Sequence, residues 1–369
     1  MTISAKSLSD LAVAPGEYLQ EVLEEFDMSQ AELARRLGRP AQAVNEIVKG
    51  AKAITPETAL QLEQVLPFGA HIWTGLEEAY RLALAMEGEQ GQLDTEVELV
   101  DKAVYRKLAE CGVVPSISGR SRESQRQRVR EMRKFFGVAS LQNVPDVRSF
   151  RAAFRVSTKG RVEEYSIAAW LCWGEREAKQ RNDMGAYDPQ AVRRLIPWLR
   201  SRSLERSEGW QQVVSQALAR CGVALVVLPH LPKTRVHGAT YWLPSGEAVI
   251  QLSLRHKRAD ILWFSLFHDI GHLLCHRKRT VYVSWDPAGT DYTDVQEREA
   301  DEFASEVLIS SPAFEEFVGR RDFSQDAIVT FAKAIEIHPS IVLGRLQKMD
   351  IVSPNALNGL HVYLDLQID

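Results

Sequence analysis

The apolar residues near the start of the chain recur every three or four positions, which is the period of a helix with one buried face. Tyr18 and Val22 begin such a stripe, and four further segments of the same period follow. Residues that favour helix ends separate these segments, with Ser29 placed as an N-cap and Gly38 as a C-cap. We therefore predict a domain of five helices over residues 12–87.

The spacing of the apolar residues changes along the rest of the chain. Glu87–Asp94 is rich in Gly, Glu and Gln and poor in apolar residues, so we interpret it as a linker. Helical spacing returns over residues 95–218, whereas the continuous apolar run after Gly222 is typical of a buried strand. Two more strand patterns, Ala239–Leu243 and Ala248–Leu252, follow that run.

These patterns predict an α+β fold that is mainly α. The five N-terminal helices are followed by a helical middle region over residues 95–218, a domain with a small sheet over residues 220–320 and a helical C-terminal extension over residues 321–369. With 369 residues, of which 45% are hydrophobic, the chain is long for one domain and can bury more than one core.

Charge and composition restrict the functional classes. The formal net charge of −4 gives no overall nucleic-acid signature, so any DNA-binding surface has to be local. The four cysteines are scattered without CxxC spacing, which argues against a zinc ribbon. No apolar run reaches the ~18 residues of a membrane span, and the N-terminus lacks a signal-peptide pattern. We therefore expect a cytoplasmic protein without a membrane partner.

The segment Ser29–Gly50 has the spacing of a helix-turn-helix, in which two short helices are joined by a tight turn. Val44 and Ile47 are predicted to point inward, which leaves the polar positions of the second helix for solvent or for a DNA major groove. Between Ser29 and Lys52 there are five basic and two acidic residues. Asn and Gln can pair with adenine, while Lys and Arg suit phosphates. The residues predicted to contact DNA are Gln30, Arg39, Gln42, Ala43, Asn45, Glu46 and Lys49. The alternative is a plain helical hairpin with a solvated polar face.

Several stretches of this region resemble the HigA group of the Xre-type regulators, namely Pro15–Leu19, Ser29–Ala34, Asn45–Gly50 and Ile54–Leu60. The resemblance covers roughly residues 12–85. It implies an antitoxin that represses its own operon as a homodimer, with operator DNA and a small ribonuclease toxin as partners.

A metal-binding pattern lies in the C-terminal half of the chain. His268 and His272 are four residues apart, so on a helix they lie on one face with Cβ atoms about 5–6 Å apart, a spacing that one tetrahedral Zn²⁺ can bridge. The following helix supplies Glu297 as a candidate third ligand. Asp301, one turn later, could accept a hydrogen bond from a ligand histidine and fix its tautomer. Three protein ligands and one open position are the arrangement of a catalytic zinc site.

These residues resemble the ImmA/IrrE family of metallopeptidase-like domains, whose pattern is His-Glu-x-x-His followed by Glu-x-x-Ala-Asp and Phe-Ala. The positions that match are His268, His272, Glu297, Ala300, Asp301, Phe303 and Ala304. The resemblance implies a zincin-like domain over residues 220–320. Some members of that family cleave a partner repressor, and the Glu after the first His is their general base.

Asp269 occupies the position of that general base and is the candidate catalytic residue. Its side chain is one methylene shorter than that of Glu, so the carboxylate is retracted by about 1.3 Å, and a misplacement of about 1 Å can cost on the order of 10²-fold in rate. Catalysis therefore stays open: the domain is a working peptidase, a metal-binding domain with weak catalysis, or a scaffold without metal.

Three smaller features complete the interpretation of the sequence. Ala248–Leu252 is a candidate edge strand against which an extended peptide could pair.

His276 continues the row of histidines, but three helical turns exceed the span of one ion, so we expect a surface residue at the helix end. The basic run from Arg120 to Lys134 holds seven basic and two acidic residues, and it fits a DNA contact, a solvated helix face or an intramolecular partner.

Our hypothesis is a DNA-binding, antitoxin-like regulator with a zinc-peptidase-like sensor or interaction domain. The alternative is a zinc-dependent endopeptidase that cleaves a partner or regulator protein. A third possibility is an interaction protein that binds neither an operator nor a metal.

Overall fold

A computed structural model describes residues 13–147, 161–204, 209–255, 257–276, 281–285 and 295–364. The chain divides into two compact units, Met1–Val97 and Glu98–Asp369. The predicted domain limits at residues 12 and 369 lie outside the described residues. Within the described part the chain is mainly helical with one small sheet, which confirms the predicted fold class.

Five helices form the described part of the first unit, as predicted. Ser29 caps the second helix, where its hydroxyl accepts a hydrogen bond from the Glu32 N–H at 3.1 Å. That helix ends at Gly38, whose φ of 65° is left-handed. The helices are α1 (Pro15–Glu25), α2 (Gln30–Leu37), α3 (Ala41–Val48), α4 (Pro56–Val65) and α5 (Ala70–Glu96).

The predicted linker Glu87–Asp94 is wrong, because these residues are the last turns of α5. The segment has few apolar residues, but its Glu, Gln and Leu residues are good helix formers. Only Gly88 and Gly91 oppose the helix, each at a cost of about 1 kcal/mol relative to Ala. A low apolar content therefore marked an exposed helix rather than a break between domains.

The core of the first unit holds α3 in place. Val44 and Ile47 are buried in it together with Leu33 of α2 and Trp73 of α5. Gly16 of α1 contacts the end of α3, since a Cβ atom there would collide with the backbone carbonyl oxygens of Ile47 and Val48. Glycine at this position lets α1 and α3 approach more closely than any other residue would.

The second unit begins with a helical region. Part of the predicted basic run is used inside it: Arg128 is buried and donates to the carbonyl oxygens of Ile117 and Gly119, and Lys134 pairs with Glu131 at 2.9 Å. The helices of this region are α6 (Lys102–Glu110), α7 (Arg122–Phe136), α8 (Arg161–Gln180), α9 (Pro189–Arg202) and α10 (Trp210–Ala219).

A mixed sheet of four strands follows. Its members are β1 (Val223–Leu228), β2 (Val236–Trp242), β3 (Ala248–Ser253) and β4 (Tyr282–Trp285), in the order β1-β3-β2-β4. β3 pairs in parallel with β1 and antiparallel with β2, and β4 pairs antiparallel with β2. The predicted edge strand Ala248–Leu252 is therefore wrong, because both its edges are paired. In the described sheet β1 and β4 are the outer strands.

The remaining helices complete the second unit and position the site. They are α11 (Ala259–Cys275), α12 (Val295–Leu308), α13 (Ser311–Gly319), α14 (Gln325–Ala334) and α15 (Pro339–Lys348). α11 packs on β2 and β3 with one face and on α12 and α15 with others. Its first turn is tied to the end of the chain, since the Ala259 N–H donates to the Val362 carbonyl at 2.9 Å.

Among the described residues, no single helix is long and apolar enough to cross a membrane. The helices α14 and α15 meet the length and composition of a span only when they are combined, and they are bent by 116° at their junction.

Candidate functional site

The two predicted metal ligands lie on one face of α11, a helix that is buried on nearly all sides. Leu266, Phe267 and Ile270 are buried in the core of the second unit and fix the rotation of the helix. His268 and His272, one turn apart, are both buried. Their Nε2 atoms are 3.0 Å apart.

Glu297 of α12 completes a group of three candidate ligands. Its Oε2 lies 3.2 Å from Nε2 of His268, and its Oε1 lies 3.4 Å from Nε2 of His272. Tetrahedral zinc with bonds of about 2.0–2.1 Å separates its ligand atoms by about 3.3 Å. The three observed separations are close to that value, so the residues present fit a zinc ion.

Asp301, one turn after Glu297, contacts the other nitrogen of His268. Its Oδ1 accepts a hydrogen bond from Nδ1 of that histidine at 2.9 Å. This bond leaves the lone pair of Nε2 for the ligand position. Lys348 of α15 lies 3.5 Å from Oδ2 of Asp301, and its ammonium group is 4.4 Å from the centre of the Phe264 ring.

His272 has a different partner for its second nitrogen. Its Nδ1 lies 2.9 Å from Nδ1 of His276, and Nε2 of His276 lies 2.9 Å from Oε2 of Glu299. The expected surface position of His276 is wrong: its side chain is only 3% exposed. The backbone turns to an extended conformation at His276 and ends α11, and the ring packs between His272 and α12.

The charges of the site favour a bound cation. Burial by itself lowers the pKa of His268, but hydrogen bonds with Asp301 and Glu297 outweigh it and raise the pKa to about 10. Burial would raise the pKa of Glu297, yet its hydrogen bonds with both histidines lower it to about 2. Burial also lowers the pKa of His272. Glu297 is therefore an anion, and zinc would displace the proton that His268 holds.

Asp269, the predicted general base, is not a member of the ligand group. It is completely buried, and its carboxylate oxygens have no hydrogen-bond partner among the described residues. The Thr240 hydroxyl donates to the backbone carbonyl of Asp269 at 3.4 Å. Burial raises the pKa of Asp269 to about 7. Gly238 of β2 gives the carboxylate its space, since a Cβ atom there would collide with Oδ2.

Most of the predicted DNA-contacting residues lie on α3 or near its ends, whereas Gln30 is the first residue of α2. Gln42 and Lys49 are exposed, and Ala43, Asn45 and Glu46 are half-buried on the same helix or at its end. Four of the set already take part in side-chain hydrogen bonds within the unit: Gln42 donates to Glu46 at 2.9 Å, Arg39 to Gln61 at 2.7 Å and Gln30 to Gln20 at 2.8 Å.

Four further residues surround the metal-ligand group, and the sequence pattern indicates the position of one of them. Only His276 has a local signal, because it continues the i, i+4 row of α11. Lys348, Tyr282 and Gly238 have none, since each comes from a separate element. The Tyr282 ring of β4 stacks on His272 with 4.1 Å between ring centres.

Comparison with known proteins gives family matches in both compact units. A helix-turn-helix family model matches residues 19–70. The uncharacterized HTH-type transcriptional regulator YddM of Escherichia coli (strain K12) is 34% identical over 71 residues, 19% of this chain and 76% of that protein. Virulence-associated protein I of Dichelobacter nodosus is 34% identical over 91 residues, 24% of this chain and 84% of that protein.

The solved structure of an addiction module antidote protein of the HigA family from Coxiella burnetii is 32% identical, with a TM-score of 0.21. The matched region covers 23% of this chain and 92% of the chain in that structure. In the second unit, the model of the IrrE N-terminal-like domain matches residues 223–347, from β1 to the end of α15. The chain therefore belongs to the Xre-type helix-turn-helix family through its first unit and carries an IrrE N-terminal-like, peptidase-like domain in its second.

Proposed function

We propose that this protein is an antitoxin-like repressor that binds a palindromic operator as a homodimer through α3. We further propose that its IrrE-like domain holds zinc at His268, His272 and Glu297 and acts as a sensor or interaction module. Operator DNA is one partner, and a small ribonuclease toxin is the second. A cytoplasmic location is part of this proposal because the operator is its target.

The observation that carries the DNA-binding part is the position of α3. Its apolar side is fixed in the core by Val44 and Ile47, so its other side is presented outward with Gln42 and Lys49 exposed. A helix held in this way can enter a major groove without rearranging the unit. The likeness to regulators over residues 19–70 supports the same role.

Operator titrations at several salt concentrations test this part, after selection of the operator from the promoter of the gene itself. Asn45→Ala should weaken specific binding by about 1–3 kcal/mol if Asn45 makes a bidentate base contact. Lys49→Ala should lower the slope of log affinity against log salt by about 1 if Lys49 touches a phosphate. Lys333→Ala, which removes the same charge from the exposed side of α14, is the matched control. Wild-type affinity in both α3 variants would exclude this surface.

The zinc site rests on the convergence of two imidazole nitrogens and one carboxylate. When bound, zinc would supply Lewis acidity toward a carbonyl group or a water molecule. Of the chain's own residues, Asp301 orients His268 and Glu297 contributes the negative charge. The likeness of residues 223–347 to the IrrE N-terminal-like domain supports a metal here.

A zinc-dependent endopeptidase is the second candidate function, and Asp269 is the observation that favours it. A completely buried carboxylate without a hydrogen-bond partner among the described residues is costly, and a role in proton transfer would account for that cost. A pKa of about 7 also suits a group that takes up a proton at neutral pH. A partner or regulator protein would be the substrate.

Asp269→Glu and Asp269→Asn separate the two functions when zinc-loaded protein is incubated with itself, with its toxin partner and with unfolded chains. Zinc-dependent cleavage that Asp269→Asn abolishes would establish the peptidase. Cleavage only by Asp269→Glu would show that the wild-type carboxylate is too short. Zinc binding without cleavage by any variant would leave the sensor or interaction role.

A further inference from the structure

His276 and Glu299 form a hydrogen-bonded pair behind the metal-ligand group. Neither residue contributes one of the three converging ligand atoms. His276 lies at hydrogen-bond distance from His272, and Glu299 lies at hydrogen-bond distance from His276. We propose that His276 and Glu299 are positioning residues that fix the tautomer and the ring orientation of His272. This inference rests on the proposed zinc site and assigns it a further pair of residues.

The direction of each hydrogen bond follows from the chemistry of imidazole. A histidine that offers Nε2 to a metal carries its proton on Nδ1, and that N–H requires an acceptor. For His272 the atom at hydrogen-bond distance is Nδ1 of His276, at 2.9 Å. His276 must then carry its own proton on Nε2, where the Glu299 carboxylate accepts it at 2.9 Å.

The two ligand histidines are thus supported in parallel but by different groups. His268 donates directly to the Asp301 carboxylate, whereas His272 reaches the Glu299 carboxylate through the ring of His276. Both carboxylates come from α12, which also supplies Glu297. Tyr282 stacks on His272 with an angle of 13° between the ring planes and restricts rotation of that ring.

The burial of the pair agrees with a positioning role. The His276 side chain is 3% exposed and packs against Tyr282 with 5.5 Å between ring centres. Glu299 is 52% exposed, so its removal should leave the core intact. Through its two ring nitrogens, His276 thus links the exposed Glu299 carboxylate to the buried His272 and holds that ring in one orientation.

Zinc affinity of the full chain, measured by competition with a chromophoric chelator, tests the pair. His276→Leu should weaken zinc binding about 10–100-fold, the usual effect of losing a partner behind a metal ligand. His276→Gln should keep most of the affinity, because its amide can accept from His272 and donate to Glu299. Glu299→Ala should weaken binding in the same direction even if the His276 variants fold poorly. Glu302→Ala, an exposed acid on the same helix, is the control and should bind like the wild type.

Selective ¹⁵N-histidine NMR of the zinc-loaded wild type gives a second readout, independent of affinity. The proton of His272 should lie on Nδ1 and that of His276 on Nε2, with assignments taken from the variants. A proton on Nδ1 of His276 would overturn the proposal, as would equal zinc affinity in His276→Leu and the wild type. Equal losses in the Leu and Gln variants would also overturn it, because only the bulk of the ring would then matter. A wild type that binds no zinc would refute the metal site itself and the pair with it.

Discussion

At the residue scale, neighbouring positions of α11 have opposite electrostatic surroundings. His268 lies between two carboxylates that stabilise its charge, whereas Asp269, the next residue, faces β2 without a hydrogen-bond partner in the described structure. The pKa of Asp269 is raised to about 7 from its ordinary 3.8 because burial penalises the ionised form. The folded chain therefore holds this proton more tightly than the unfolded chain does.

This difference predicts how the stability of the zinc-free protein depends on pH. Well below pH 3.8 Asp269 is protonated in both states, and from there to about pH 7 its contribution to the free energy of unfolding falls as the pH rises. Asp269→Asn lacks this penalty, so its stability relative to the wild type should increase over that interval, by at most about 1.4 kcal/mol per pH unit. Urea unfolding across the pH range measures it.

The buried amide of the Asn variant has its own cost, but that cost does not vary with pH. The trend with pH, rather than the absolute difference, is therefore the test. Glu315→Gln on the exposed side of α13 serves as the control. An Asp269→Asn difference that stays flat from pH 4 to pH 8 would contradict the raised pKa.

At the scale of the elements, the position of α3 depends on one close approach to α1. Gly16 contacts the carbonyl oxygens of Ile47 and Val48, where no other residue fits without a shift. Gly16→Ala should destabilise the first unit by about 1–3 kcal/mol, the usual cost of overpacking. It should also weaken operator binding, because α3 would be displaced.

Gly88→Ala supplies a matched control with the opposite sign. Gly88 lies inside α5, and a Cβ atom there would meet open space. Ala should stabilise this helix by about 0.5–1 kcal/mol. Chemical denaturation of both variants decides the point, and a Gly16→Ala protein as stable as the wild type would show that α1 and α3 adjust freely.

The sequence is informative about elements wherever the signal is local. The cap at Ser29 and the stop at Gly38 predict α2 within one residue, and the i, i+4 spacing places His268 and His272 on one face. The order of the strands is not local. β3 is buried throughout and mostly apolar, with Gln251 and Ser253 as its polar residues. Its sequence fits either an edge strand covered by a helix or a central strand, and only its pairing with β1 and β2 decides between them.

The surroundings of the metal-ligand group show the same limit. Lys348 lies 47 positions after Asp301 in the sequence, and nothing near either residue predicts their 3.5 Å approach. The segment Glu87–Asp94 differs from the predicted linker for another reason, since an exposed helix and a linker share the same low apolar content. The spacing of His276 from His272 is visible in the sequence. Its contact with Glu299 is not, because that contact depends on how α12 packs against α11.

At the scale of the whole molecule, the DNA-binding surface and the metal-ligand group belong to different compact units. Each group is fixed by contacts inside its own unit. We therefore expect His268→Ala and Glu297→Ala to lower bound zinc sharply while operator affinity stays within about twofold of the wild type. Operator titration of zinc-loaded and chelator-treated protein measures this. A large change in operator affinity would show that the second unit regulates the first.

We propose that the second unit of this regulator holds one zinc ion through His268, His272 and Glu297. Elemental analysis of protein purified without chelators and reconstituted with zinc tests it most directly. We expect close to one zinc per chain in the wild type and in the control Glu302→Ala, and very little in Glu297→Ala. A wild type that retains no divalent metal after reconstitution, or a Glu297→Ala variant that retains as much as the wild type, would contradict it.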